Sequence, residues 1–258
     1  MVYSLSGVQK LTSATDNRLS ADRAAAAAGR IRLRLAGDPH ASRLLPAASL
    51  LERLRGHPWG ISLAEAQTVL RRSHYFDHAL TRFLTPPLPG QVVLLEGRYD
   101  TRPWRFADEL NGRPVFALAE ERASGRIRVS PTEALSAALR TAGCKAGERT
   151  LFLWEGGAMY RNRAEVKASL SAIRGLSGPG SLLVMDGWSQ NPVQNRPLLL
   201  GQPIRFAIHP EDLSGLLSRM GFEITDIADA EELRRRFPPE GARGTPACFV
   251  ISARLTGL

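Results

Sequence analysis

The chain lacks several features that would identify its class at once. It has 2 cysteines among 258 residues, and Cys144 and Cys248 form no C-x-x-C motif, which argues against a disulfide scaffold or a dithiol redox site. No apolar run approaches the roughly 20 residues that a membrane span requires. The first twenty residues lack the basic start and apolar centre of a secretory signal. We therefore expect free thiols in a reducing cytoplasm and no membrane partner.

Lysine is also scarce, although the chain is strongly basic. Arginines make up 31 of the 34 basic residues, and the formal net charge is +9. Nucleic-acid binders usually concentrate positive charge on one stripe with interleaved aromatic residues. The arginines here are scattered, and the densest runs, at residues 30–34 and 234–236, are short. A solvated basic surface without a nucleic-acid partner is the expectation.

Motifs of several enzyme classes are missing too. The sequence has no G-x-S-x-G elbow and no Walker loop, which removes the usual signals for an α/β-hydrolase or a nucleoside triphosphatase. His74 and His78 stand one helical turn apart with Asp77 between them, but no third ligand lies at metal spacing. Because Phe76 and Leu80 place the same helix in the core, the sequence predicts no metal site.

What is present suits a single α/β protein with a helical lead-in. Polar residues 1–20 are predicted to be flexible, residues 21–88 to form an N-terminal helical cap, and residues 89–258 to form the α/β core. Ser62 followed by Glu65 is a capping box that predicts a helix start within the cap.

Beyond residue 88, short apolar strands alternate with amphipathic helices. Strands are predicted at residues 92–95, 115–119, 126–129, 150–154, 181–185, 222–227 and 247–254, and helices at residues 132–142, 162–176 and 210–220, with a polar insert at residues 229–245. This order predicts a mostly parallel seven-stranded sheet with helices on both faces and one reversed edge strand.

The segment Val92–Phe106, VVLLEGRYDTRPWRF, is the most informative part of the chain. A buried strand followed by a tight turn and an acid, Asp100, is how doubly wound folds open a cofactor site. Here, however, Glu96 and Arg98 occupy a turn that would usually carry glycines. Two alternatives follow: the turn still holds a cofactor in an unusual way, or the fold has persisted without its original chemistry.

Three segments are expected to meet at the carboxyl ends of the parallel strands, where open α/β sheets place ligands. They are residues 96–102, 119–121 and 154–160. In the second of them Glu120 is the acid available to bridge ribose hydroxyl groups.

Five segments, in chain order, carry a resemblance to a known family. Asp38-Pro39-His40-Ala41 resembles a DPxA segment, Arg72–Asp77 an R-T-R-F-F-D helix, Val92–Phe106 a VVxLGAGLDTRxxRL core, Thr150–Tyr160 a TxFxxEGxxMYL segment, and Gly221-Phe222-Glu223 a late GF(E/D) segment. These are motifs of the S-adenosylmethionine-dependent leucine carboxyl methyltransferases and their bacterial small-molecule relatives. Agreement of five motifs in order is much more specific than a match to any one of them.

The resemblance implies a class I methyltransferase-like, Rossmann-like fold and methyl transfer from S-adenosylmethionine to an oxygen of a small acceptor, most simply a carboxylate. Arg72 matches the arginine that holds the methionyl carboxylate of the cofactor. Glu155 matches an acid that contacts the cofactor, and Tyr160 matches a position that lines the acceptor pocket. Asp100 begins the family's D-T-R, and with Gly97 it completes the cofactor-binding set near the first turn. Glu155 and Tyr160 are therefore the candidate catalytic residues.

The departures from the family pattern lie on the adenosine side. Glu96 and Arg98 stand at the two glycines of G-A-G and place bulk beside the expected adenosine. The strand-two acid pair is missing, and Glu120 comes one residue late, which reverses its facing direction in a strand. Ser130 replaces the acid of a D-L pair after strand three. The resemblance thus implies a cofactor site that keeps its amino-acid end and has a degenerate adenosine end.

These departures leave three functional alternatives open. The chain is an O-methyltransferase-like enzyme, or a homologue that has lost S-adenosylmethionine and performs a lyase, cyclase or hydrolase step in natural-product biosynthesis, or a non-catalytic partner protein. A small-molecule ligand is expected in the first two cases. In the second, Glu96, Arg98 and Glu120 fill the former adenosine site.

Overall fold

The computed structural model describes residues 2–3, 27–28, 31, 38–40, 62–118, 131–189, 198–199, 202–237 and 247–256. Within these ranges one sheet contains seven strands, which are β1 (Val2–Tyr3), β2 (Gln91–Leu94), β3 (Val115–Leu118), β4 (Thr150–Trp154), β5 (Leu182–Trp188), β8 (Phe222–Ala228) and β9 (Cys248–Leu255). A separate two-stranded sheet pairs β6 (Leu198–Leu199) with β7 (Gln202–Pro203).

The main sheet is mostly parallel, as the sequence predicts. Its strand order is β1-β3-β2-β4-β5-β9-β8. Strands β3, β2, β4 and β5 run parallel to one another, whereas β9 is antiparallel to both of its neighbours. The prediction of a reversed edge strand was wrong in one respect, because β9 lies inside the sheet. The chain first crosses to the outer position with β8 and then returns to fill the gap beside β5.

The opposite edge of the sheet also differs from the prediction. Val2 and Tyr3 pair antiparallel with Leu118 and Ala117 of β3, so this short part of the polar N-terminus is an edge strand. The strand predicted at residues 126–129 lies outside the described residues. The predicted and observed seven-stranded sheets therefore share six members.

Helices cover both faces of the sheet because every central strand is buried on both sides. The helices of the described ranges are α1 (Leu63–Leu84), α2 (Arg102–Arg105), α3 (Ala107–Leu110), α4 (Pro131–Thr141), α5 (Arg163–Leu176), α6 (Pro210–Arg219) and α7 (Ala230–Arg236). Alternate residues of β2 show the arrangement: Val93 packs in the cluster that contains α5 and α6, and Val92 packs in the cluster that contains α1. Helix α7 was missed, since its charged sequence reads as a polar insert.

Helix α1 is the element that the cap contributes to the site. Ser62 accepts the backbone N–H of Glu65 and the Glu65 side chain accepts that of Ser62, so the predicted capping box is confirmed. Phe76 and Phe83 of α1 are fully buried against the sheet, and each contributes about 2 kcal/mol of apolar burial. This packing fixes which residues of α1 face the carboxyl ends of the strands. The domain division after residue 88 stays a prediction.

A third cluster lies at the carboxyl end of the sheet. Its members include Ala27, Ala28 and Ile31 of the N-terminal region, together with Val69 of α1 and Tyr160. In the described part of the chain, no helix has the length and apolar character needed to cross a bilayer.

Candidate functional site

Two groups of interacting side chains lie toward the carboxyl ends of β2, β4 and β5. The first, called here the buried ion-pair network, comprises Arg72, Arg102, Arg105, Asp77, Asp100, Glu155 and Asp186. The second comprises Glu96, Arg161 and Trp154.

Arg102 is the central cation of the network. Its Nε donates to Asp77 Oδ1, its Nη1 to Asp100 Oδ2 and its Nη2 to Glu155 Oε2, each at 2.7 Å. Nη2 also donates to the Ser73 carbonyl at 3.3 Å. The side chain is 3% exposed. Arg102 therefore ties helix α1 to the turns that follow β2 and β4.

Arg72 joins the network from the other side. Its Nε donates to Glu155 Oε1 at 3.3 Å, and its Nη1 lies 2.8 Å from Asp186 Oδ2. Glu155 Oε1 also accepts the Ser73 hydroxyl at 2.7 Å. The resemblance assigns the Arg72 guanidinium to a ligand carboxylate. In the structure it is 2% exposed and pairs with two carboxylates of the chain itself.

Burial and pairing shift the pKa values of this pair in identifiable ways. Burial alone would lower the pKa of Arg72, but the carboxylates of Asp186 and Glu155 outweigh it, and the pKa lies above its usual value. Burial raises the pKa of Asp186 to about 6, against the opposing effects of Arg72 and of the Gly156 N–H that donates to it. Asp186 therefore changes its charge at a higher pH than an ordinary aspartate,.

We expect the free energy of unfolding to fall by about 2 kcal/mol as the pH rises from about 4 to about 6. Asp186 keeps its proton up to a pKa of about 6 in the folded chain, whereas an unfolded aspartate loses its proton near pH 3.9. Over this window the folded state binds more protons, so stability falls as the pH rises. Urea denaturation at several pH values measures the slope, and Asp186→Asn should flatten it.

The exposed Asp108 provides the control for this experiment, because Asp108→Asn should leave the slope unchanged. Asp77 changes the free energy of unfolding in the opposite direction, and it does so at lower pH. Burial alone would raise its pKa, but Arg102 and Arg105 outweigh burial and hold the pKa below its usual range. The stability due to Asp77 is therefore present above about pH 4 and lost as the pH falls further. A slope that persists in Asp186→Asn would assign the titration to another group.

Asp100 fixes the loop after β2. Its Oδ1 accepts the backbone N–H of Arg102 at 2.9 Å, and its Oδ2 pairs with the Arg102 guanidinium. On the other side of this loop, Thr101 donates to Asp38 and accepts from Arg105. The D-T-R segment therefore acts here as a structural anchor that reaches both α1 and the Asp38 turn.

Glu96 crosses from the β2 turn to the β4 turn. Its Oε1 accepts Arg161 Nη2 at 2.7 Å and Trp154 Nε1 at 3.4 Å. The side chain packs against Gly157, where a methyl group built on the glycine would overlap its Cγ, Cδ and Oε1 atoms. Glu96 and Arg161 are each 12% exposed. The Glu96 carboxylate therefore fills the space between the two turns.

The glycines of the two turns serve packing within the chain. A methyl group on Gly97 would lie 2.6 Å from Ala117 Cβ and 2.9 Å from Ala117 Cα, so its bare face permits close approach to β3. Gly156 has a φ of +71° and lies against the Arg72 guanidinium. The positive φ aims the Gly156 N–H at Asp186, which holds the β4 turn against β5.

Tyr160 is fully buried at the end of a short 3₁₀ helix, Ala158–Tyr160. Burial raises its pKa above the usual value for tyrosine, although the charge of Arg72 opposes this. The phenol therefore stays protonated at neutral pH. It packs with Val69 and Leu70 of α1, on the side of the β4 turn that the resemblance assigns to an acceptor.

The structure brings together Arg72, Glu155 and Asp100 of the predicted site, linked through Arg102. Glu96 and Gly97 lie at the neighbouring β2 turn. The backbone of Arg98 belongs to the 3₁₀ helix Gly97–Tyr99, and its side chain lies outside the described residues. Glu120 and Ser130 also lie outside them. The roles assigned to these residues stay predictions.

Three functional candidates were missed by the sequence reasoning. Asp186 sits inside an apolar strand, and its partner Arg72 is remote in the chain, so no local pattern marks it. Arg161 follows the M-Y segment, but only packing shows that it pairs with Glu96. Arg102 is the arginine of the D-T-R motif, and its guanidinium can bind more than one acid, so the motif could have identified it.

The histidines of α1 are not part of this site. His74 and His78 lie around the Phe237 ring, with ring centroids 6.1 Å and 6.3 Å from it. Asp77, which lies between them in sequence, is taken by Arg102 and Arg105. Among the described residues, no group of three or more histidine, cysteine or acidic side chains is placed to hold a metal ion.

Comparisons with known proteins identify the fold and leave the family open. No protein-family model matches the chain, and no curated protein sequence matches it. A candidate methyltransferase from Thermobifida fusca YX is similar in structure, with a TM-score of 0.51 at 11% identity over 83% of this chain and 90% of that one. The chain therefore has a class I methyltransferase-like fold, and an identity this low shows the fold alone.

Two further solved structures match less closely. Burkholderia thailandensis 1,6-didemethyltoxoflavin-N1-methyltransferase, with bound 1,6-didemethyltoxoflavin and S-adenosylhomocysteine, gives a TM-score of 0.43 at 15% identity over 75% of this chain and 80% of that one. The CcbJ methyltransferase from Streptomyces caelestis gives a TM-score of 0.40 at 13% identity over 72% of this chain and 89% of that one.

Proposed function

We propose that this chain is a distant relative of the leucine carboxyl methyltransferases that keeps their fold and binds a small molecule, but no longer uses S-adenosylmethionine as a methyl donor. The observation that carries the proposal is the position of Glu96, which fills the space between the β2 and β4 turns and is held there by Arg161. The reaction class that this leaves is a non-methylating step on a natural-product intermediate, with a non-catalytic partner role as the alternative.

The amino-acid end of the expected cofactor site does not fit the cofactor in this arrangement. A methionyl carboxylate needs a guanidinium that can turn toward it, and Arg72 is 2% exposed between Glu155 and Asp186. Glu155 is equally committed, since Ser73 and Arg102 both donate to it. Binding would require this network to open, at the cost of separating buried charges.

The β2 turn does not fit the cofactor either. In a nucleotide-binding turn, glycines let the backbone approach the ligand. Gly97 uses its missing side chain to approach Ala117 instead. Glu96 stands at a position where the resembling family has glycine, and its side chain is directed at the β4 turn. The residues of this turn therefore oppose the entry of S-adenosylmethionine.

Calorimetric titration with S-adenosylmethionine tests this proposal. We expect no binding heat from the wild-type chain at micromolar ligand, because Glu96 and the paired Arg72 both oppose entry. The double variant Glu96→Gly, Arg98→Gly should gain affinity by about tenfold or more, because the ligand no longer has to break the Glu96–Arg161 contact, and a hydrogen bond between charged groups is worth about 1.5–3 kcal/mol. Circular dichroism verifies that both samples are folded. Micromolar binding by the wild type would overturn the proposal.

Methyl transfer to a carboxylate is the second candidate. It is favoured by the retention of Arg72, Glu155 and Tyr160 at positions that match the resembling family. An acceptor carboxylate with a pKa near 4 is already ionised at neutral pH and needs no general base. The chain would then contribute by positioning the acceptor and excluding water, with the protonated Tyr160 facing it. The same titration separates the two candidates.

A cytoplasmic location is part of the proposal. Cys144 and Cys248 are free and buried. Burial raises the pKa of the Cys144 thiol to about 11 and that of the Cys248 thiol to about 12. Thiols that stay protonated are unreactive, which supports a structural role for both in a reducing compartment.

A further inference from the structure

We propose that Arg161 and Trp154 form a carboxylate-binding subsite, and that Glu96 occupies it as an internal substitute for the carboxylate of a ligand. This inference rests on the proposed function, because the ligand is the small molecule bound between the β2 and β4 turns. It adds the chemical class of that ligand and the residues that recognise it.

The first support is the convergence of two donors on one oxygen atom. Arg161 Nη2 lies 2.7 Å from Glu96 Oε1, and Trp154 Nε1 lies 3.4 Å from the same atom. A hydrogen bond from a guanidinium to a carboxylate is short and about twice as strong as a neutral one, and the indole N–H adds a second donor beside it. Any carboxylate that reaches this position meets both donors.

The second support is that both donors are fixed by the fold before any ligand arrives. Trp154 is the last residue of β4 and is 1% exposed. Arg161 follows the 3₁₀ helix Ala158–Tyr160, and its backbone N–H donates to the Ala158 carbonyl. The Arg161 guanidinium carbon also lies 5.9 Å from the Trp154 ring centroid. A site on such supported side chains is preorganised for its ligand.

The third support is the contrast between Glu96 and the acids of the buried ion-pair network. Glu155 is bound by Arg72, Ser73 and Arg102 and cannot leave without exposing two buried guanidinium groups. Glu96 lies in a turn outside the strand, with φ of −124° and ψ of 49°. Within the described part of the chain its carboxylate accepts from Arg161 and Trp154, so withdrawing it separates one ion pair where withdrawing Glu155 would separate two.

A ligand carboxylate has two possible sources. The proposed function makes a substrate the expected source, and the amino-acid end of an S-adenosylmethionine-type molecule is the competing source that the test must separate. Both sources present the same group to the same donors, so a simple carboxylate can stand for either. Benzoate is a suitable probe, and benzamide is a neutral probe of the same shape.

The experiment is a calorimetric titration of Glu96→Ala with benzoate. Removing the internal carboxylate should tighten benzoate binding at least about tenfold relative to wild type, because one charge-assisted contact is regained. Benzamide should show no such gain. Adding Arg161→Gln to Glu96→Ala should abolish the gain in benzoate affinity.

Glu223→Ala is the matched control. Glu223 also pairs with an arginine, Arg254, at 2.7 Å, but the two side chains are 53% and 59% exposed on the sheet edge. Solvent already competes for that arginine, so benzoate affinity should not change. Glu96→Ser, which keeps a small polar side chain, provides a second background if circular dichroism shows that Glu96→Ala is unfolded.

Folded Glu96→Ala or Glu96→Ser without a gain in benzoate affinity would overturn the subsite, as would a gain that survives Arg161→Gln. A competition experiment separates the two sources. If S-adenosylmethionine displaces benzoate from Glu96→Ala, the subsite accepts the amino-acid end of such a molecule. If it does not displace benzoate, the carboxylate belongs to a substrate. Either result supports the subsite. The proposed function fails separately, through micromolar binding of S-adenosylmethionine by the wild type.

Discussion

Replacing Arg102 with methionine is expected to lower the free energy of unfolding by about 4 kcal/mol. Methionine keeps much of the apolar stem of arginine but has no guanidinium. The loss of stability therefore measures the contribution of the charged group. Arg102 is 3% exposed and binds Asp77, Asp100 and Glu155, whose carboxylates would be left short of a cation. Because a typical domain is stable by only about 5–15 kcal/mol, the variant should be marginally folded. Urea denaturation at pH 7 measures the effect.

Arg254→Met is the matched control for this experiment. Arg254 also makes two contacts with a carboxylate, at 2.9 Å and 2.7 Å from Glu223, but both side chains are more than half exposed. Solvent screening limits such a pair to less than about 1 kcal/mol. Lower pH should reduce the cost of Arg102→Met, because the orphaned carboxylates then take up protons. Equal losses in the two variants would show that burial does not set the strength of the network.

The fold was accessible from the sequence because local patterns and global packing agree. The strand β4 was predicted with its observed bounds, Thr150–Trp154, since an apolar run bounded by polar turns has few alternatives. The helix start at Ser62 followed from hydrogen-bonding chemistry within four residues. These two predictions, which depend on neighbours in the chain, were confirmed, whereas helix α7 was missed because its charged sequence has no apolar pattern.

The partners within the site were not accessible in the same way. The sequence predicted that Glu96 would add bulk beside adenosine, but the side chain is directed to Arg161, which is 65 residues away in the chain. Asp186 lies in a strand whose apolar character hides a buried acid. Its function as a partner of Arg72 depends on β5 lying beside β4. Such roles follow from packing, which residue spacing does not encode.

Replacing Gly157 with alanine is the second large effect that we expect, with a loss of about 2 kcal/mol in the free energy of unfolding. Gly157 has φ of −114° and ψ of −43°, a negative-φ conformation that does not require glycine. The cost arises because the new methyl group would overlap the Glu96 side chain. Alanine at this position must therefore expel Glu96 from Arg161.

A double-mutant cycle isolates that overlap. In the Glu96→Ala background, Gly157→Ala should cost less than about 0.5 kcal/mol, because the overlapping atoms are gone. Gly156→Ala is the control, since its φ of +71° strains alanine whatever stands at residue 96,. Its cost should be the same in both backgrounds.

The outcome of this cycle bears on the function as well as on the packing. A coupling free energy near 1.5 kcal/mol between residues 96 and 157 would place the Glu96 carboxylate on the β4 turn in solution. The space that a donor would need is then filled in the ground state of the protein. If the two substitutions are additive, Glu96 does not rest on Gly157, the proposed carboxylate subsite loses its physical basis, and the proposed loss of the donor rests on the paired Arg72 alone.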